Sequence, residues 1–381
     1  MERSMTHIID RIARHTEKKF ELIAEYAKSW ACKLLEYGLK KRNNCDEIIL
    51  IDCMCNSGIY EAKDTGKMIE GTPLRVAKIL SEIMQKPKYK NLRARCYFND
   101  ISSPKKEKLK KELEKHAVKE TQNFHLELSA NNGNELLKQI IEEKDHSKNI
   151  HYLVFYDPYK ATIDWEALTP FIQSWSDIII NHMVSDTRRG ASVARHSKTQ
   201  KKYEDTYKKP LEEIRKASRD ELNRRIKDII NRLATKKEYY IASCPFYNRQ
   251  NSLVYDLLLA TSNKTAFNLY KEMAWKVFGG NSSGKRTKIN PGQQDLFSPS
   301  ELAACEQTDN DRLGTGNIVN FIIKEFEGHI GVEWDTIWDK LDDHPIFPSK
   351  GYRKEIRKQL EQRGYKTHQD SIDFVNSGNG N

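Results

Sequence analysis

Long apolar runs are missing from this chain. No stretch of its 381 residues approaches the roughly 20 consecutive apolar residues that a spanning helix needs, which excludes a helical membrane protein. An apolar leader is missing too. Met1-Glu2-Arg3-Ser4-Met5-Thr6-His7 runs into a charged helical pattern, so export is not expected. The seven cysteines are an odd number without regular spacing. That excludes a disulfide framework and fits reduced thiols in the cytoplasm. Cys53 and Cys55 form a C-x-C pair, but no second pair completes a zinc site, and no metal is expected. No internal repeat is present.

Positive charge is plentiful and unevenly placed. The net charge is +10, and the segment from Asp186 to Lys237 holds 17 Lys or Arg against 8 Asp or Glu. A charge run is ordinarily a solvated face. Here His196, Gln200, Tyr203, Tyr207, Asn223 and Asn231 are interleaved with the charges. A concentrated basic arm attracts phosphates over long range and releases their counterions on contact. Arg188, Arg189, Arg195, Lys198, Lys201 and Lys202 are its candidate nucleic-acid contacts.

Periodicity gives the architecture. Thr16 to Tyr37 repeats apolar residues at helical spacing, and Cys45 to Cys53 (CDEIILIDC) reads as a buried parallel strand. Thr72-Pro73 marks a helix start, with Thr72 as the cap and Pro73 as the first helical residue. Further strands are predicted at 94–98, 124–128, 152–156 and 177–181, with helical patterns between them. Five strands alternating with helices specify an α/β, Rossmann-like, doubly wound and mostly parallel sheet. Residues 239–244 and 253–261 read as a hairpin-like completion of that sheet. The expected organisation is a Rossmann domain over 1–280 with a basic helical insertion at 186–237. A linker at 281–311, a three-helix, winged-helix-like module at 312–368 and a disordered tail at 369–381 follow.

Three strand ends carry candidate chemistry. The loop Asp52-Cys53-Met54-Cys55-Asn56-Ser57-Gly58 follows the first strand, and Gly58 would allow close backbone approach to a cofactor. Asn99-Asp100 ends the second, where an acid can accept hydrogen bonds from a ribose diol. A surface Asp capping the next helix is the alternative. Asn131 and Asn132 follow the third strand, where an amide can contact an adenine. Asp157-Pro158-Tyr159 ends the fourth: the carboxylate can accept an amine's hydrogen bonds while the ring stacks on a base. An ordinary Asp-Pro turn is the competing reading.

Several motifs, taken in order, resemble the three-Cys-motif partner proteins. They are His15-Thr16-Glu17-Lys18-Lys19-Phe20 with Tyr26, Ile51-Asp52, Gly58-Ile59-Tyr60, Gly71-Thr72-Pro73, and Tyr156-Asp157-Pro158-Tyr159 with Trp165. Ile179-Ile180-Asn181 with Arg188, then Cys244-Pro245-Phe246 and Tyr255, continue the series. The resemblance implies a class I methyltransferase-like fold, an S-adenosylmethionine site and a functional link to a radical-type partner protein. On that footing Asp52, Gly58, Thr72, Asn99, Asp100 and Asn132 are expected at the cofactor and Asp157, Pro158 and Tyr159 at the reacting amine. The chain departs from the family where Cys53-Met54-Cys55-Asn56 replaces an aromatic and glycine-containing turn, and where Lys160 stands in place of a glycine. Two functions follow as expectations: methyl transfer to nucleic acid, at a base amine, or a non-catalytic module that binds nucleic acid or a partner protein.

Overall fold

The Ile-rich run between Cys45 and Cys53 becomes strand β2 (Glu47–Asp52), buried along its whole length, as a strand covered on both faces must be. The computed structural model describes residues 8–40, 44–158, 162–248, 252–278 and 314–375. Strand β1 (Arg11–Ile12) and helix α1 (Arg14–Lys40) precede β2, and β3 (Ile59–Ala62), β4 (Met68–Glu70) and α2 (Thr72–Met84) follow it. Alternation continues through β5 (Arg93–Asn99), α3 (Ser103–Lys115), β6 (Phe124–Ser129), α4 (Gly133–Glu142), β7 (Ile150–Tyr156), α5 (Trp165–Ile172) and β8 (Ser176–His182). Four helices come next: α6 (Val184–Val193), α7 (Ser197–Tyr207), α8 (Leu211–Lys216) and α9 (Arg219–Leu233). Strands β9 (Tyr240–Tyr247) and β10 (Leu253–Thr261) and helix α10 (Lys264–Phe278) complete this part. No helix among the described residues is long and apolar enough to cross a membrane.

The central sheet has the order β6-β5-β2-β7-β8-β10-β9. Strands β6, β5, β2, β7 and β8 are parallel, and β10 runs antiparallel to β8. This is the mixed α/β, mostly parallel, Rossmann-like arrangement expected from the alternation. The chain builds outward from β2 through β5 to β6, then crosses to β7 on the other side of β2. The β2/β7 pair is therefore the topological switch point, beside which ligands of open α/β sheets bind. Asp52 is registered with Phe155, and Tyr156 with Ile180. Asp157 and Asn181 each follow one residue beyond that second pair.

A second sheet, not anticipated from the sequence, joins β1, β3 and β4 in the order β1-β3-β4. Its strands have two to four residues, too short to carry a periodic signal. The expected Thr72 cap is also corrected. Gly71 is the cap of α2, Thr72 is the first helical residue, and its hydroxyl makes no capping bond.

The chain divides into two compact units, Met1–Ile241 with Val254–Phe267, and Ala242–Leu253 with Asn268–Asn381. The expected boundary at 280 thus differs from the observed one. The reason lies in α10, which from Asn268 onward belongs with the C-terminal helices. Buried Lys271 donates to the carbonyls of Leu341 (3.0 Å) and His344 (2.9 Å), and Trp275 Nε1 donates to that of Ile346 (3.0 Å). This unit contains α11 (Thr315–Phe326), β11 (Val332–Glu333), α12 (Trp334–Asp343), α13 (Arg353–Gln362), β12 (Lys366–Thr367) and β13 (Ser371–Asp373). Its small sheet has the order β11-β13-β12. The tail expected to be disordered from 369 is corrected here, because β13 pairs on both sides and Phe374 is buried, stacked on Phe326 at 5.6 Å. The linker expected at 281–311 lies outside the described residues.

The basic segment is held to the sheet by a buried polar network. Arg219, the first residue of α9, donates to both oxygens of Asp256 on β10, at 2.6 Å each. Asn223 Nδ2 donates to the same carboxylate at 3.0 Å, so its Oδ1 faces His182 Nδ1 at 2.7 Å. That assigns the His182 proton to Nδ1 and leaves Nε2 to accept from Tyr207 Oη at 2.6 Å. Burial lowers the His182 pKa, which favours this neutral form. Burial opposes the charge on Asp256, but Arg219 and Asn223 outweigh it and hold the carboxyl below the usual range. Replacing Asp256 by Asn leaves buried Arg219 with only the exposed Asp220 carboxylate, 3.6 Å away, as a counter-charge, and denaturant unfolding should register a loss of about 3–5 kcal/mol. Replacing Arg189, whose partner Asp186 is at the surface, should change little. Equal, small effects for both would contradict the anchoring role.

Candidate functional site

Helix α1 supplies a residue that the strand ends alone would not reveal. Its apolar stripe buries Phe20, Ile23, Tyr26, Ala27 and Trp30, and two polar contacts fix its direction. Tyr26 Oη donates to Asp177 near the start of β8, at 2.7 Å. Seven residues earlier, Lys19 Nζ donates to Asp157 Oδ2 at 2.7 Å. Asn181, four residues after Asp177, donates from Nδ2 to Asp157 Oδ1 at 2.6 Å. Seven helical residues rise about 10 Å and four strand residues about 13 Å, so the two spacings match and α1 runs antiparallel to β8.

The Lys19 ammonium is almost wholly buried. It lies 5.9, 5.9 and 5.5 Å from the ring centroids of Phe20, Phe155 and Tyr255. His15 packs edge-on to Tyr255 at 6.0 Å. Burial lowers the His15 pKa, with Lys19 and Lys63 adding to the effect. Across the switch point, Asp52 ends β2 at 1% exposure and accepts a bond from the Met54 N–H at 3.3 Å. Burial pushes its pKa well above the carboxylate range and the Asp157 charge adds to that, while the Met54 N–H and Lys19 offset only part. Two buried atoms here have no hydrogen-bond partner among the described residues: Asn181 Oδ1 and Thr72 Oγ1.

Most of the other expected cofactor residues are engaged in holding loops. Asn99 donates to the carbonyls of Cys53 and Asn131, both at 3.0 Å, and accepts from Ser129 Oγ (2.7 Å) and the Asn131 N–H (3.0 Å). Its four bonds tie three strand ends together. Asp100 accepts from the Asn56 N–H at 3.0 Å and the Ser102 N–H at 2.8 Å. Asn132 caps α4 through the Asn134 N–H at 2.9 Å. Gly58 has φ of 75°, and a Cβ there would collide with Leu109, so packing against α3 accounts for this glycine. Asp10 closes over the loop, accepting from Asn56 Nδ2 (2.6 Å) and Lys105 Nζ (2.7 Å).

Asp157 and Asp52 are thus brought together at the switch point, with Pro158 directly following Asp157. Tyr159 lies outside the described residues. The side chains of Arg188, Arg189, Arg195, Lys198, Lys201 and Lys202 are all exposed on α6, α7 and the connection between them. The sequence reading did not assign a site role to Lys19 or Asn181. Lys19 and Asp157 are 138 residues apart, beyond the reach of any spacing rule. The available signal was a lysine next to Phe20, seven residues before Tyr26, on the apolar stripe of α1.

No family model matches the chain, and no curated protein is significantly similar to it. Among solved structures it is similar to a Legionella pneumophila protein of the DUF519 family, LPL1258, at 12% identity over 67% of this chain and 89% of that one, with a TM-score of 0.37. It is also similar to an rRNA methylase from Streptococcus thermophilus at 9% identity over 61% and 96%, with a TM-score of 0.27. At these scores neither likeness bears on function, which rests on the sheet and the site themselves.

Because the folded pKa of Asp52 lies above its unfolded value, the contribution of its protonated form is complete below about pH 4 and lost as pH rises through the folded value. Asp52→Asn, uncharged throughout, should melt near the parent at about pH 4 and above it at about pH 8. A melting deficit that grows with pH would contradict the buried, protonated state.

Proposed function

We propose that this chain is an S-adenosylmethionine-dependent methyltransferase acting on nucleic acid at an exocyclic base amine. The observation that carries the reading is Asp157. It is a carboxylate at the carboxyl end of β7, beside the switch point, fixed by Lys19 and Asn181 and followed by Pro158. The sheet is compatible with it: antiparallel β10 lies between β8 and β9, a departure from the dinucleotide-binding order 3-2-1-4-5-6. The residues present fit the cofactor. The unpartnered Asn181 Oδ1 calls for a donor, and Asp52 lacks a counter-charge of its own in a site where Lys19 serves Asp157. Asp52, Asp100 and the loop from Cys53 to Gly58 would hold the cofactor, with Thr72 beside them. The cofactor supplies an activated methyl group, so positioning provides most of the catalysis.

Asp157 then does the orienting. An ionised carboxylate has about four acceptor sites, and two are taken by Lys19 and Asn181. The remaining capacity accepts an N–H of the target amine and directs its lone pair away from the carboxylate. The same oxygens can receive the proton that the amine sheds on methylation. Tyr159 is assigned to stack on the base.

The exposed cations of α6 and α7 would hold the phosphate backbone. In the C-terminal unit the order helix–strand–helix–helix–strand–strand supports a winged-helix module, with Lys354 and Lys358 exposed on α13. The link to a radical-type partner protein rests on the resemblance to the three-Cys-motif partner family. A second reading, a binding module without catalysis, is favoured by one observation: Asn99, Asp100 and Asn132 already spend their side chains on loop contacts.

Asp157→Asn should lower methyl transfer by tens- to thousandsfold, about 1.4–4 kcal/mol of transition-state stabilisation, with cofactor affinity nearly unchanged by calorimetry. Unchanged turnover in the folded variant would remove Asp157 from the reaction. Replacing Arg188, Arg189, Lys201 and Lys202 with Gln should weaken nucleic-acid binding for all sequences. It should also flatten the dependence of log affinity on log salt, by up to about 0.9 for each lost phosphate contact on duplex DNA. A parent protein that binds no nucleic acid at low salt would refute the interface.

A further inference from the structure

Among the described residues the charges at the switch point do not balance, and the imbalance points to the kind of ligand the site takes. The groups facing Asp52 are Asp157 from β7, Lys19 from α1 and Asp100 from the turn after β5. The thiols of Cys53 and Cys55 and the phenol of Tyr60 also face it. Burial raises all three of these last pKa values, with Asp52 adding to each, so they bring no charge at neutral pH. Among the described residues Lys19 is the cation of the group, and it sits 2.7 Å from Asp157. Asp100 accepts from two backbone N–H groups and is partly open to solvent. Asp52 is left fully buried with one backbone N–H at 3.3 Å. An unpaired carboxylate in that position is costly, and the group takes up a proton instead. A second observation marks the same place as incomplete. Asn181 is 5% exposed, its Nδ2 is committed to Asp157, and its Oδ1 has no donor among the described residues.

We infer that the site is built for a cationic ligand, and that binding a sulfonium nucleoside ionises Asp52 and releases its proton to solvent. The inference rests on the methyltransferase reading and adds a charge requirement to it. One O–H bond of the Asp52 carboxyl breaks, the proton passes to buffer, and the carboxylate becomes the counter-ion of the ligand's positive sulfur. The demethylated product carries a neutral thioether in place of the sulfonium. Asp52 then regains a proton, and the site loses its preference for what remains bound. Discrimination between donor and spent product would thus come from one buried carboxyl.

The test is isothermal titration of the full chain with S-adenosylmethionine and, separately, S-adenosylhomocysteine. It is run at about pH 6.5, where the ligands' α-amino groups stay protonated, in phosphate and in bis-Tris, which differ in ionisation enthalpy. The difference in observed heat between buffers counts the protons released. The expected result is release approaching one proton with the sulfonium and far less with the thioether. Asp52→Asn should abolish the release and weaken the sulfonium by about tenfold or more relative to the thioether. Equal proton counts for the two ligands would overturn this inference and leave the proposed function standing. Binding of neither ligand would overturn both. The buffer comparison on the parent protein decides the matter even if the variant does not fold.

Discussion

The ion pair between Lys19 and Asp157 is the interaction on which the rest of the site depends. It ties the first long helix to the end of β7 and, with Asn181, fixes the plane of the Asp157 carboxylate. It also uses the cation that would otherwise neutralise Asp52. A buried pair of this kind is weak evidence for stability, because desolvation offsets much of the attraction. Its value here is positional: with Tyr26 on Asp177, it sets α1 along β8 and places three aromatic rings around the carboxyl edge. Everything proposed about chemistry follows from a carboxylate that is held by an ion pair and lies beside a second, fully buried carboxyl whose pKa burial raises.

Strand β8 connects that edge to the basic helices. Its last two residues point to opposite faces, as successive strand residues do. Asn181 reaches Asp157, while His182 reaches Asn223 and Tyr207. The Arg219–Asp256 pair then holds α9 to β10, the neighbour of β8. The helices that present Arg188, Arg189, Lys201 and Lys202 therefore rest on the same strand that orients Asp157. A nucleic acid bound along them would be located relative to the site by a buried polar network.

How much of this was legible in the sequence depended on range. The five parallel strands were, because runs such as Glu47–Asp52 and Ile150–Tyr156 are apolar, β-branched or aromatic, and short. The strand-end residues Asp52 and Asp157 were legible for the same reason. The β1-β3-β4 sheet was not, since its short strands have no period. Nor was the engagement of Asn99, whose four bonds go to two other strand ends, at Cys53 and at Ser129 and Asn131. Gly58 has a further reason to be glycine that the sequence did not show: Leu109 fills the space a Cβ would need. Lys19 and Asn181 needed the fold to bring positions 19, 157 and 181 together.

A structure determined with S-adenosylhomocysteine bound tests the central claim most directly. The account requires the ligand at the carboxyl ends of β2 and β7, with its amino-acid end beside the Asp52 loop and open space next to Asp157 for a base amine. Ligand density elsewhere at saturating concentration, with the Asp52–Asp157 edge closed and unchanged, would contradict it.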